Sequence, residues 1–379
     1  MRSIFIALIG VFVGLMAEWH STIPVVDMKD YYNPDKKEKF VQQVGDALRD
    51  VGFFAVVNPT IEMEVVDKAY ASVQGFFSLP LQEKRKCLNP ELNGQRGYVE
   101  SESAKGCTFK DFKEFLHIGR ELSDARLAQL RYAKNVWPAS YNLKEPTMAL
   151  YDALEEAGRP IAEAISLAMG QEKDFLGEML YHGNTLLRAI HYPKDPPANQ
   201  VWAAEHTDIN FFSILPRATA DGLQLKNKGE WITVRVPDHA FIVYGGDMLT
   251  HLSNGEFKHP PHRVVALGQS YERYSMVMFM HPRGKCDLTP RSNTIARTGG
   301  VCKFASCTAW ELLMERIADL GIASNFMLEQ LGRSGFLEKQ IEIGNSSDDA
   351  MLAVHSAGYA SRDVEIELEK KGLLQTRSR

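Results

Sequence analysis

A chain of 379 residues with 45% hydrophobic composition is long and apolar enough to bury a sizeable core, in one large domain with additions or in two domains. These values exclude a disordered protein. The formal net charge of −5 excludes a general electrostatic attraction to nucleic acid or to an anionic membrane, because no long basic run offsets the acidic excess. We therefore expect a small-molecule substrate, no nucleic acid and no stable membrane partner, while the oligomeric state stays open.

The first 17 residues, MRSIFIALIGVFVGLMA, form an apolar run that allows two hypotheses. The run resembles a signal-peptide core, but Leu15 stands where a cleavage site before or after Ala17 would need a small residue. Alternatively, translation starts at Met16. The five cysteines are odd in number and scattered, which favours a reducing compartment. We predict a cytoplasmic protein, with export directed by residues 1–17 as the alternative.

The N-terminal region, residues 22–145, is predicted to be rich in helices around a few strands. It begins with a short strand in IPVVDM, and a helix follows whose apolar residues over 40–51 recur at helical spacing before Gly52. The segment FFAVVN is β-branched and aromatic, so it is expected to be a strand. A second amphipathic helix is predicted over about 62–77, and LQEKRKCL is typical of a short polar helix.

From residue 146 the pattern indicates one or two helices, up to about residue 176, and it then changes. Over 186–280, short apolar runs such as WITVRVP and YSMVMFMHP alternate with Gly, Asn and Pro turns, which is typical of an all-β sandwich or barrel. Helices are predicted again after Thr308. We expect an α+β protein with four parts: an apolar segment 1–17, the helix-rich region 22–145, a β-rich domain 146–285 and a helical C-terminal extension 300–379.

The stretch WAAEHTDINFFSIL, residues 202–215, contains two polar residues of the kind that bind metals. Read as one buried strand, it would place His206, Asp208, Asn210 and Phe212 on the same face, because strand side chains alternate. On this interpretation an imidazole and a carboxylate point into one cavity. Five downstream histidines are candidates for a third ligand: His239, His251, His259, His262 and His281.

The spacing favours His262 as the third ligand and His259 as the second choice. His262 opens the apolar strand HRVVAL just after the tight turn at Asn254-Gly255, whereas His259 lies closer to that turn. Further along, Arg273 and Ser275 share one face of a predicted strand, and a buried arginine beside a hydroxyl suits the bidentate binding of a carboxylate. Two histidines and one carboxylate form the facial triad of non-haem Fe(II) oxygenases.

At this point the sequence resembles the isopenicillin N synthase-like and plant-type 2-oxoglutarate/Fe(II)-dependent dioxygenases, from about Ile23 to Pro282. The resemblance rests on ordered segments that include VGFFAVVN, RGYV, DFKEFLHIG, LLRAIHYP, HTD, GDMLTHLSNGEFKHPPHRV and RYS. It implies a double-stranded β-helix, a cupin-like jelly roll, with flanking helices. It also implies roles for six residues: His206, Asp208 and His262 would bind iron, Arg273 and Ser275 would hold the distal carboxylate of 2-oxoglutarate, and Tyr192 would add a hydroxyl to this co-substrate.

The resemblance implies a reaction in which decarboxylation of 2-oxoglutarate is coupled to hydroxylation, desaturation or ring closure of a small molecule, as in secondary metabolism. Fe(II), 2-oxoglutarate and O2 would be required, and ascorbate is a candidate reductant. Related halogenases lack the carboxylate that Asp208 supplies. Three alternatives stay open: a 2-oxoglutarate-independent oxidase of the same family, a non-catalytic cupin-like binding protein, and a zinc hydrolase.

Two further features bear on the substrate. Five apolar residues are expected to wall the cavity: Phe211, Phe212, Leu223, Val243 and Phe279. The helical extension after Thr308 is expected either to cover the mouth of the barrel or to form an oligomer contact.

Overall fold

The computed structural model describes residues 21–92, 94–102, 110–198, 200–268 and 270–374. The apolar segment 1–17 and Cys107 therefore lie outside the described residues. Within the described ranges, no helix combines the length and the apolar character that a membrane crossing needs.

The chain up to residue 180, which comprises the N-terminal region and the first two helices after it, contains the helices that pack behind the β-structure. Its elements, in chain order, are β1 (Val25–Asp27), α1 (Met28–Tyr32), α2 (Lys37–Asp50), β2 (Phe53–Val57), α3 (Met63–Phe77), α4 (Leu81–Arg85), a 3₁₀ turn (Pro90–Leu92), β3 (Gly97–Val99), β4 (Glu114–Gly119), α5 (Asp124–Leu130), α6 (Lys144–Ala168) and α7 (Phe175–Leu180). Gly52, with φ of 81°, ends the turn after α2 as the sequence predicts.

The β-rich domain follows directly. Its elements are β5 (Leu186–Tyr192), β6 (Ala203–His206), β7 (Phe212–Leu215), β8 (Leu223–Asn227), β9 (Glu230–Thr233), β10 (Phe241–Gly245), α8 (Asp247–Leu252), β11 (His262–Val264) and β12 (Arg273–Met280). These strands are distributed over two sheets. The large sheet has the order β1-β2-β10-β7-β12-β5-β4-β3, and the small sheet has the order β6-β11-β8-β9.

The large sheet is covered on both faces, and this places the site between the two sheets. One face packs against α2, α3 and α6 through residues such as Leu187 and Met276. The opposite face, with Ile190 and Val277, shares an apolar cluster with Leu225 of the small sheet. Two β-sheets packed face to face form the predicted jelly-roll core, and the predicted α+β fold class is confirmed.

The C-terminal extension is helical as predicted. Its elements are α9 (Ser292–Arg297), α10 (Ala309–Asp319), α11 (Asn325–Ser334), α12 (Phe336–Glu342), α13 (Asp348–Ser356) and α14 (Arg362–Lys370). Helix α10 begins at a capping box, in which the Thr308 side chain accepts from the Glu311 amide and the Glu311 carboxylate accepts from the Thr308 amide.

The interpretation of residues 202–215 as one strand is wrong. The chain leaves β6 after His206, crosses to the large sheet and resumes as β7 at Phe212. Asp208 and Asn210 consequently lie in the crossing segment, not on a strand face with His206. The backbone of this segment can be buried because it is hydrogen-bonded to α8: the Asp247 amide donates to the Asp208 carbonyl at 2.8 Å.

Candidate metal centre

Two histidines of the small sheet lie side by side at its inner face. His206, at the end of β6, is the direct antiparallel partner of His262, at the start of β11, and their ring centroids are 4.4 Å apart. The Nδ1 of His206 lies 2.7 Å from the Ala204 carbonyl, which fixes Nδ1 as the donor. Because the other ring nitrogen then carries a lone pair, Nε2 is available as a ligand.

The crossing segment brings the carboxylate of Asp208 to these two rings. The Asp208 Oδ1 lies 3.8 Å from the His262 Nε2, and ligand atoms from His206, Asp208 and His262 all lie within 4.8 Å of one another. Asp208 is 7% exposed and His262 is 4% exposed. The structure thus brings together the three residues that the sequence suggested, although one of them arrives from a loop.

The carboxylate is oriented by two residues for which the sequence suggested no role. The Ser213 hydroxyl donates to the Asp208 Oδ2, and the Tyr244 hydroxyl lies beside both groups. Ser213 and Tyr244 are direct cross-strand partners in β7 and β10. Burial, followed by the charge of Asp208, raises the pKa of Tyr244 well above its ordinary value, so this hydroxyl keeps its proton.

A further layer of contacts holds the crossing segment. The Asn210 side-chain amide donates to the Phe212 carbonyl and to the Ser213 hydroxyl, both at 3.0 Å. Gly246 packs against this segment so closely that a Cβ there would lie 2.3 Å from the Asn210 carbonyl oxygen and 2.9 Å from the Asp208 carbonyl oxygen. Only glycine permits this approach without moving backbone atoms.

The donor set fits a divalent iron ion. Burial, together with the neighbouring His262, lowers the pKa of His206, so its imidazole is neutral and able to ligate. Two neutral imidazoles and one carboxylate, gathered from one side of a cavity, leave the other coordination positions for small molecules. A buried carboxylate facing two imidazoles in a desolvated site also needs a cation to offset its charge.

A buried arginine lies on the facing strand of the large sheet. Arg273, at the start of β12, is 2% exposed, and it donates from Nε to the Ala220 carbonyl at 3.0 Å and from Nη1 to the Ser275 hydroxyl at 3.2 Å. Its guanidinium carbon lies 5.0 Å from the ring centre of Tyr192. Among the described residues, Arg273 has no carboxylate within ion-pair distance, so its charge lacks a protein counterion.

The triad and the arginine line a common inner cavity of about 40 Å³, together with Ser275 and Tyr192. A larger outer cavity of about 2080 Å³ opens next to it, and His206 and Asp208 line both. Of the five apolar residues expected to form the wall, Leu223 and Phe279 do line the inner cavity. For Phe211, Phe212 and Val243 the expectation is wrong, because they face the helices in the other core.

Two of the remaining candidate histidines, His259 and His251, have other contacts. His259, the second choice for the third ligand, lies 2.7 Å from the Thr250 hydroxyl, and its Nε2 is 3.8 Å from Asp247. His251 is buried, and its Nε2 lies 2.7 Å from the Ala305 carbonyl. His239 lies at an exposed turn with φ of 62°.

Sequence models of two families match this chain. A model described as the N-terminal region of non-haem dioxygenase in morphine synthesis matches residues 23–140. A model described as the 2OG-Fe(II) oxygenase superfamily matches residues 183–282, where 2OG denotes 2-oxoglutarate. The second match contains the triad and the Arg273 strand.

Individual proteins show the same similarity. Kihadalactone A synthase LFS of Citrus sinensis is 33% identical over 69% of this chain and 83% of its own length. The 2-oxoglutarate-Fe(II) type oxidoreductase hxnY of Emericella nidulans is 28% identical over 70% of this chain and 82% of its own length. A solved structure of a Caulobacter crescentus protein, assigned to the 2OG-Fe(II) oxygenase family, superposes with a TM-score of 0.72. The two sequences are 30% identical, and the match covers 79% of this chain and 99% of the Caulobacter chain.

Proposed function

Since this chain belongs to the 2OG-Fe(II) oxygenase superfamily, whose cofactors are Fe(II) and 2-oxoglutarate, we propose that His206, Asp208 and His262 hold the iron and that Arg273 and Ser275 hold 2-oxoglutarate. The activity is the 2-oxoglutarate-coupled oxidation of a small molecule. When bound, Fe(II) and 2-oxoglutarate would activate O2, which is the oxidant: two of its four oxidising equivalents would convert 2-oxoglutarate to succinate and carbon dioxide, and the other two would oxidise the substrate. Ascorbate as a reductant stays a prediction.

The single observation that carries the co-substrate assignment is the unbalanced charge of Arg273. A fully buried guanidinium without a carboxylate partner in the described chain is costly, and an incoming carboxylate would remove this cost. Arg273 has the fork geometry that binds a carboxylate through two N–H groups, and the Ser275 hydroxyl beside it can donate a third hydrogen bond. Tyr192 supports the clamp because the guanidinium packs over its ring.

The residues around the triad have distinct tasks. Ser213 and Tyr244 hold the Asp208 carboxylate in one orientation, and the Ala204 carbonyl holds the His206 ring. The apolar side chains of the two sheets exclude bulk water from the inner cavity, and Phe279 lies where this cavity meets the outer one. Because Asp208 completes the triad, hydroxylation, desaturation or ring closure of the substrate is the proposed outcome.

We also propose the division of labour along the chain and its compartment. Residues 146–285 form the catalytic domain, residues 22–145 support it, and residues 300–379 shape access to it. Among the described residues, Cys87, Cys286, Cys302 and Cys307 are free thiols, which supports a cytoplasmic location over export.

The iron assignment is tested by comparing His262→Ala with His259→Ala. Both histidines follow the same turn, but only His262 belongs to the cluster of ligand atoms. Each protein is loaded anaerobically with Fe(II), desalted and assayed for bound iron by mass spectrometry. We expect about one iron per chain in the parent and in His259→Ala, and a loss of most iron in His262→Ala. Equal iron content in the two variants would contradict the assignment.

A further inference from the structure

A second arginine lies on the same face of the large sheet as the 2-oxoglutarate clamp but far from it. In the β5–β12 ladder, Tyr192 is paired with Arg273, and Arg188 is paired with Val277. Four residues along a strand span about 13 Å. Because side chains two and four residues apart share a face, Arg188 points to the same interior as Arg273. This separation along the ladder is large enough for the two guanidinium groups to bind separate ligands.

Arg188 is held in one orientation by hydrogen bonds. Its Nε donates to the His117 Nε2 at 2.6 Å, and its Nη1 donates to Glu102 at 2.9 Å. Burial, followed by the charge of Arg188, lowers the pKa of His117, so this ring is neutral. The Nδ1 of His117 faces the Gly94 carbonyl at 2.5 Å, which leaves Nε2 as the acceptor that Arg188 needs.

Aromatic rings complete this support. The Cζ of Arg188 lies 4.4 Å from the ring centre of Phe115 and 5.4 Å from that of Phe279. No partner is found for the Nη2 of Arg188 within the described residues, and the side chain lines both the inner and the outer cavity. A fixed pair of N–H donors therefore faces the space next to the triad.

Arg188 belongs to a basic wall of the outer cavity, which we define as Arg96, Lys113 and Arg188. Lys113 contacts Glu102 at 2.8 Å and Asp111 at 2.9 Å, and these are the carboxylates next to the wall. Apart from Asp208, whose charge the proposed iron would offset, three cations of the basic wall thus face two carboxylates.

Arg96 is the cation left over. It is 5% exposed, and its Nε has no hydrogen-bond partner. Its other bonds go to the neutral oxygens of Gln95 and Asn184. Burial lowers the pKa of Arg96, and no carboxylate of the described chain opposes this effect. The excess positive charge of the basic wall, at Arg96, therefore lies in a desolvated environment.

An apolar wall from the C-terminal extension lines another part of the same cavity. We define it as Trp310, Leu313 and Ile317 of α10 with Leu352 of α13. The three α10 residues are spaced by three and four positions, so they share one face of the helix. All four are half-buried rather than enclosed in the core. This wall offers apolar surface to a ligand.

On the basis of the proposed function, we infer that the prime substrate is an amphipathic acid, whose oxyanion group binds to Arg188 while its apolar body packs against the apolar wall. An oxyanion would accept from the open Nη2 of Arg188 and offset the excess charge of the basic wall. The apolar body would gain by removing the α10 face from water. Since Arg188 and the triad line the same inner cavity, a substrate held in this way lies next to the iron ligands.

Two fluorescent probes of matched shape test this inference. The anion 8-anilinonaphthalene-1-sulfonate and the neutral N-phenyl-1-naphthylamine share an aromatic body and differ in the oxyanion. Both are titrated into anaerobic protein loaded with Fe(II) and 2-oxoglutarate. Loss of a charge-assisted hydrogen bond costs about 1.5–3 kcal/mol, so Arg188→Gln should weaken binding of the anion about tenfold or more. The neutral probe should change by less than about twofold.

Three further variants make the result specific. Arg188→Lys keeps the charge and should retain part of the preference for the anion. Leu313→Ala should weaken both probes to a similar extent because it removes only apolar contact. Arg159→Gln, at an exposed position of α6, should change neither. An unchanged anion affinity in Arg188→Gln, an equal loss of both probes, or no binding of the anion to the parent protein would overturn the inference.

Failure of the proposed function has a different signature. In that case the loaded parent protein would show no 2-oxoglutarate-dependent absorption in the visible range, whatever the probes do. Arg273→Gln should abolish that absorption and leave the ratio of the two probe affinities unchanged, because Arg273 lies at the far end of the strand.

Discussion

The Ser213 hydroxyl offers a direct way to disturb the metal centre without removing a ligand. Ser213 is fully buried, and its hydroxyl donates to the Asp208 Oδ2, while the Asp208 Oδ1 faces His262. The change Ser213→Ala deletes this donor and creates almost no cavity. The carboxylate keeps the Tyr244 hydroxyl as a neighbour, so the expected effect is a loosened orientation rather than a lost ligand.

The expected size of the effect follows from the role of the hydrogen bond. Loss of a group that orients a metal ligand typically lowers metal affinity about 10- to 100-fold. Because Tyr244 remains beside Asp208, we expect the lower end, about 10- to 30-fold, which corresponds to about 1.4–2 kcal/mol.

Anaerobic titration of Fe(II) against a chromogenic chelator measures this affinity. Ser166→Ala is the matched control: Ser166 is also fully buried, but its hydroxyl donates to the Ala162 carbonyl at 2.8 Å inside α6. Both variants should lower the melting temperature slightly, and only Ser213→Ala should weaken Fe(II) binding. Unchanged Fe(II) affinity in Ser213→Ala, or an equal loss in Ser166→Ala, would refute the role assigned to Ser213.

Two further predictions concern the scaffold. Gly246→Ala would place a Cβ 2.3 Å from the Asn210 carbonyl oxygen, so we expect the free energy of unfolding to fall by about 1–3 kcal/mol and Fe(II) binding to weaken. The control Gly177→Ala, whose Cβ would have no atom within 4 Å, should not destabilise the protein. Denaturant unfolding and iron titration of the two variants check these expectations. Burial lowers the pKa of His251 to about 4 in the folded protein. In the unfolded chain His251 takes up a proton near its ordinary pKa of about 6.5, so the free energy of unfolding should fall, by up to about 3 kcal/mol, as the pH decreases from about 6.5 to 4. His251→Gln should flatten this part of the stability profile, and an unchanged pH dependence would contradict the assignment.

The sequence predicts most helices and strands because their local patterns agree with their tertiary environment. Helix α2 follows the 3.6-residue period and ends before Gly52, and α10 starts after Thr308 at a capping box. The crossing after His206 is different. INFFSIL has five apolar residues out of seven, and a buried segment that changes sheets has much the same composition as a buried strand.

Residues that support the site depend on strand register, which a single sequence does not specify. Ser213 supports Asp208 together with Tyr244 because β7 pairs with β10 in one register. His117 meets Arg188 because β4 pairs with β5 in one register. These contacts join residues far apart in the chain, so no local period signals them. His262 could be placed from sequence because it opens an apolar strand a few residues after the turn at Asn254-Gly255.

The most direct test of the central claim is the visible spectrum of the protein loaded anaerobically with Fe(II) and 2-oxoglutarate. Chelation of the bound Fe(II) by 2-oxoglutarate is expected to produce a weak metal-to-ligand charge-transfer band. Arg273→Gln should lose the band at 2-oxoglutarate concentrations that saturate the parent. Arg263→Gln should keep it, because Arg263 is bonded to Gln224 and stacks on Trp231 in the small sheet. A band that persists in Arg273→Gln, or its absence from iron-loaded parent protein, would contradict the claim that Arg273 binds 2-oxoglutarate beside the iron.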